Sequence, residues 1–117
     1  MKKPLIIAFG SQVTGKATGM SDFDFGVFIG KQMTLDERVE ISSYIAKKQN
    51  INEDKIDLVD ITNASPLLKF QIAQNGKLID GEFFDFIRFK VRAFKEYVDT
   101  AKFRAFREKI MLENYAK

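Results

Sequence analysis

A chain of 117 residues holds enough material for one small domain with one core, and a hydrophobic share of 45% marks it as a chain that folds. The absence of cysteine excludes disulfides, thiolate nucleophiles and cysteine-ligated zinc, and the absence of histidine removes the commonest general base and transition-metal ligand. The net charge of +3 is uneven: residues 1–87 carry ten Lys/Arg against twelve Asp/Glu, whereas residues 88–117 carry nine against four, so the basic character belongs to the C-terminal segment and suggests a partner surface there.

The start, Met1 to Ala8, combines basic residues with an apolar run but lacks a small-residue cleavage site and leads straight into Gly10-Ser11. It reads as a first strand, Pro4 to Phe9, and not as a signal peptide. No apolar run approaches the ~20 residues that span a bilayer, so a cytoplasmic protein is expected. Gln12 to about Lys16 reads as a short helix and Asp22 to Ile29 as a second strand closed by Gly30. Thr34 with Glu37 makes a capping box, and Leu35, Val39, Ile41, Tyr44 and Ile45 predict an amphipathic helix to about Lys48. After a polar connection, Lys55 to Ile61 is the third strand, completing a strand-helix-strand crossover. Ser65-Pro66 opens a helix through about Gln74, Asn75-Gly76 is a turn, and Lys77 to Ile79 is a short edge strand.

From Glu82 onward the pattern is helical, with an interruption near Asp99-Thr100. Phe83, Ile87, Val91, Phe94 and Val98 follow one stripe, and Phe84, Phe86, Phe89, Ala93 and Tyr97 widen it beyond what a small sheet needs. Phe83 to Val98 is expected to pack along its own domain. Phe103, Phe106, Ile110 and Met111 belong to a basic tail with little core left to join, and are expected to face a partner. The reading is thus an α/β (α+β) fold: a mixed sheet of three to four strands flanked by helices. One domain is expected over 1–117, with its core in 1–81 and a helical segment over 82–117.

The stretch that carries chemistry runs from Phe9 to Asp24. A strand that breaks at Gly10 and restarts as a helix capped by Ser11 offers free backbone N–H groups and a helix dipole to a phosphate. Asp22 and Asp24 lie on one face of the next strand, their α-carbons roughly 7 Å apart. Two carboxylates so close repel unless neutralised, and a hard divalent cation such as Mg2+, or Mn2+, is the simplest means.

Gly10-Ser11, ten residues, then Asp22-Phe23-Asp24 resembles the signature of the polymerase-beta-like nucleotidyltransferases. With the short chain, Ser21 before the first aspartate, the Lys55 to Asp60 segment, Ala64 to Leu68 and Phe86 to Tyr97, the resemblance extends over nearly the whole chain. It points to the minimal nucleotidyltransferases, including MntA-type antitoxins paired with HEPN toxins. It implies ATP as substrate, two Mg2+ ions held by Asp22, Asp24 and Asp57, nucleotide contacts from Gly10, Ser11 and Ser21, and transfer of AMP to a hydroxyl, a tyrosine, of a HEPN toxin held through the C-terminal helices.

Strand parity leaves the third carboxylate open between Asp57 and Asp60, which face opposite sides; the resemblance implies Asp57. For Asp60 a strand-end cap is the plainer reading. Gln12, Val13 and Thr14 stand where many relatives carry arginine, a loss of paired donors for a triphosphate that Lys16, read as a solvated loop residue, does not replace. That departure keeps an alternative in view: a weak or inactive form of the fold that neutralises its partner by binding alone. Nucleic acid ranks low, because the basic residues are spread around a helix without a stacking motif.

Overall fold

The computed structural model describes residues 3–10 and 22–115. Leu5–Phe9 (β1) and Phe23–Phe28 (β2) form an antiparallel pair, and β2 runs parallel to Ile56–Asp60 (β3). The fourth strand, Lys77–Asp80 (β4), pairs antiparallel with the other side of β1, giving the order β3-β2-β1-β4. The parallel pair is joined by Leu35–Gln49 (α1), as a crossover requires. Pro66–Asn75 (α2), Phe83–Asp99 (α3) and Ala101–Tyr115 (α4) complete the chain. The elements expected in these segments are all present. The helix expected over Gln12 to Lys16 lies outside the described residues.

Local chemistry sets the helix ends. The Thr34 hydroxyl accepts from the Glu37 N–H at 3.2 Å while the Thr34 N–H donates to the Glu37 carboxylate at 3.0 Å, completing the capping box. Asn50 closes α1 in a left-handed conformation, φ 53°. Ser65 caps α2 by accepting from the Leu68 N–H, with Pro66 in the first turn.

Each face of the sheet has its own cover. Leu5, Ile7, Ile61 and Ile72 pack with Phe86, Phe89 and Ala93 under α2 and α3, whereas Ile6, Phe25, Val27 and Ile45 pack under α1. The two-residue alternation of β1 and β2 divides the apolar side chains between these layers. Gly26 lies on the α2 side, where an added Cβ would come within 2.9 Å of Ile61 Cδ1; its lack of a side chain lets Ile61 close over β2.

α3 docks as expected but through a different stripe. Phe86, Phe89 and Ala93 are buried, while Phe83, Val91 and Phe94 are 63%, 63% and 59% exposed, with Ile87 and Val98 also on the exposed side. The apolar residues make two faces on roughly opposite sides of one helix, and the sheet has width for only one. The break expected near Asp99-Thr100 is a clasp. Arg104 donates to the Thr100 hydroxyl and the Tyr97 carbonyl, both at 2.6 Å, and its guanidinium lies 3.8 Å from the centre of the Tyr97 ring, which stacks on Phe70. Beyond this clasp, Arg104 is the one half-buried side chain between Ala101 and Asn114; the others are exposed.

Asp60 ends β3 as a buried cap: Oδ2 accepts from the Met33 N–H at 2.8 Å and Oδ1 from the Thr62 N–H at 3.1 Å. It ties the segment before α1 to the end of β3. Asp60→Ala strands both donors and is expected to lower unfolding free energy by about 2–3 kcal/mol in urea titration, whereas Asp57→Ala is expected to leave stability unchanged or raise it.

Candidate active site

The site is built where β1 ends and β2 and β3 begin. At Gly10 the chain bends with φ 85°, in the left-handed region that favours glycine. A second constraint acts on the same atom: a Cβ on Gly10 would collide with Oδ2 of Asp24. Phe9 pairs with Asp24 across the antiparallel ladder, and Asp24 pairs with Asp57 across the parallel one. Phe9, Gly26 and Val59, one or two residues away on these strands, all meet the α2 and α3 layer, so strand alternation puts Asp24 and Asp57 on that face.

Electrostatics identify Asp24 as the centre of the group. Its carboxyl is held above the ordinary aspartate range, first by partial burial, then by the charges of Asp57 and Asp22, and by a hydrogen bond with Asp57. Asp22 is exposed at the entrance to β2 and Asp57 is exposed on β3. All three predicted carboxylates are thus brought to one end of the sheet, with Gly10 against the most buried of them. Asp60 is not among them: its oxygens are committed to Met33 and Thr62. Register between β2 and β3 sets Asp57, and not Asp60, opposite Asp24.

The donor set is oxygen alone, which suits a hard divalent cation. Among the described residues no three acidic side chains already stand as a closed metal-ligand set. Asp24 and Asp57 instead lie opposite one another in the parallel ladder, with Asp22 close enough to act through its charge. A cation between these carboxylates would relieve their mutual repulsion, and the oxygen-only pair fits one on that ground. Ser11 and Ser21, expected to contact nucleotide, lie outside the described residues, as do Gln12, Val13, Thr14 and Lys16. Gly26 carried no functional signal in the sequence. Its role in letting Ile61 close over β2 needs three-dimensional contacts to be seen.

A glycine bend against clustered carboxylates on a mixed sheet defines the nucleotidyltransferase class. The family model described as "Polymerase beta, Nucleotidyltransferase" matches residues 3–82, and the chain belongs to that family. Protein adenylyltransferase MntA of Aphanizomenon flos-aquae (strain 2012/KM1/D3) is 30% identical over 120 residues, covering 94% of this chain and 76% of that protein. Among solved structures, a toxin-antitoxin with AMP-PNP superposes with a TM-score of 0.71 at 29% identity, over 92% of this chain and 85% of that one. The tri-AMPylated Shewanella oneidensis HEPN toxin in complex with MNT antitoxin gives 0.63 at 27% identity, over 92% and 82%.

The raised pKa has a consequence for stability. The folded state holds the Asp24 proton more tightly than the unfolded chain, so this contribution is full below the ordinary aspartate range and is lost as pH rises through the elevated value. Asp24→Asn is therefore expected to raise the melting temperature at neutral pH by roughly 2–5 °C and to flatten its fall with rising pH above that range. Added Mg2+ is expected to raise the melting temperature of the unaltered chain but not that of Asp24→Asn, as read by thermal denaturation.

Proposed function

We propose that this protein is an antitoxin that transfers AMP from ATP to a hydroxyl, a tyrosine, of a HEPN toxin. The observation that carries the reading is the Asp24–Asp57 pair, set in register beside Gly10 at one end of the sheet. Similarity to a protein adenylyltransferase, and to an antitoxin in complex with an AMPylated HEPN toxin, supports the substrate and acceptor.

In this reading the acceptor oxygen attacks the α-phosphorus, the bond from phosphorus to the bridging oxygen of the β-phosphate breaks, and pyrophosphate leaves. Asp57, the more exposed of the strand pair, takes the hydroxyl proton. The backbone after Gly10, with Ser11 and Ser21, is assigned to hold the phosphates. Two Mg2+ ions, for which Mn2+ can substitute, would be held by Asp22, Asp24 and Asp57 and supply charge stabilisation at the attacking and leaving oxygens. The reaction and the docking are assigned to one domain, acting in the cytoplasm; among the described residues no helix is long and apolar enough to cross a membrane.

The toxin is assigned to the outer face of α3 and to α4. Ile87, Val91, Phe94 and Val98 on one helix and Phe103 and Phe106 on the next are exposed, and a 15-residue helix with almost no tertiary cover is marginal in water by itself. The same stripe favours a second reading, neutralisation by occlusion without transfer, and one experiment separates the two. With labelled ATP, Mg2+ and the partner toxin, Asp22→Ala with Asp24→Ala is expected to lower label transfer by roughly 10³-fold or more, while the complex still forms on gel filtration. Equal transfer by that variant overturns the enzymatic reading; full neutralisation of the toxin without transfer establishes occlusion. Removal of Ala101 to Lys117 is expected to weaken the complex by roughly 100-fold or more, measured by calorimetry.

A further inference from the structure

A cavity of about 610 Å3 opens between the sheet and α3, at the end remote from the carboxylates. Phe28, on its wall, is four residues along β2 from Asp24, roughly 13 Å away. Leu5, Ile61 and Phe89 complete an apolar floor. The volume falls in the range of about 300–1,000 Å3 common to small-molecule sites.

The charged groups around this floor are unequally committed. Of the two acids that line it, Glu96 is paired with Lys69 and Asp85 with Arg88, each at 3.3 Å. Lys3 reaches Asp80, outside the cavity, at 3.8 Å. Arg92 also lines the cavity and, among the described residues, makes neither hydrogen bond nor ion pair. With both acids neutralised, the rim is left positive, and its uncommitted group is a guanidinium whose planar donors match a carboxylate or phosphate. An apolar floor under a free guanidinium favours a ligand that brings both kinds of surface at once.

We propose that this cavity is a second binding site, distinct from the carboxylate cluster, for a small ligand with one anionic head on an apolar body. The head sits on Arg92, and the body on Phe28, Ile61 and Phe89. The inference does not depend on the transfer reaction.

The test is a titration of the full 15N-labelled chain with octanoate, octyl phosphate and octanol, followed by amide NMR shifts. Octanoate or octyl phosphate is expected to give saturable shifts at Phe28, Ile61, Phe89 and Arg92, and the tighter of the two names the head group. Arg92→Gln is expected to weaken that probe by about tenfold and to leave octanol, the weaker ligand throughout, unchanged. Octanol binding as tightly as both anions, anion binding indifferent to Arg92→Gln, or shifts confined to Val91, Phe94 and α4 would each overturn the proposal.

Discussion

The parallel pairing of β2 with β3 is the constraint on which the rest depends. It sets Asp24 opposite Asp57, two like charges on adjacent strands, and Gly10 closes over Asp24 without a side chain to obstruct it. Nothing local favours that arrangement, since the carboxylates repel and Asp24 is partly buried. It persists because the strands bearing them are committed elsewhere. Phe25 and Val27 are buried under α1, Ile61 packs with Ile72 of α2 in the opposite layer, and a one-residue slip of β2 would turn every one of its side chains to the wrong face. Core packing therefore holds a repulsive site in place, leaving it ready to take up positive charge.

Asp57 and Asp60 show how differently one strand uses the same side chain. Asp57 stands opposite another carboxylate in the ladder and is exposed. Asp60, three residues on, is 7% exposed and spends both oxygens on backbone N–H groups, anchoring the entry to α1 against the end of β3. A buried carboxylate that accepts two backbone donors is satisfied where it stands, and Asp60 stands on the opposite side of β3 from the Asp24 pairing.

α3 belongs to the core and to the surface at once. Phe86, Phe89 and Ala93 attach it to the sheet, and the opposite stripe stays exposed, continuing past the Thr100–Arg104 clasp into α4. Arg104 stacked on Tyr97, itself stacked on Phe70, ties the direction of α4 to α2. An apolar face of this extent is costly to leave in water, and this is the physical argument for a protein partner there. The cavity on the flank of the same helix, lined by Arg88 and Arg92, is a separate feature of different chemistry, apolar below and cationic above.

Much of this was legible in the linear chain because its signals are local. Capping at Thr34 and Ser65, the turn at Asn75-Gly76 and the break near Thr100 depend on neighbours a few residues away, and so do the alternation in β2 and the spacing of Gly10 from Asp22 and Asp24. They sufficed for the elements, the mixed sheet and the family. Seeing that Asp57 and not Asp60 stands opposite Asp24 needed the register of β2 on β3, because parity describes a strand only relative to itself. The docked face of α3 was likewise undetermined: a helix apolar on two sides carries no mark of which side the sheet will take. The cavity, the Arg92 guanidinium that has no partner among the described residues, and the collision that excludes a Cβ at Gly10 arise between residues far apart in the chain, and only the tertiary structure brings them together.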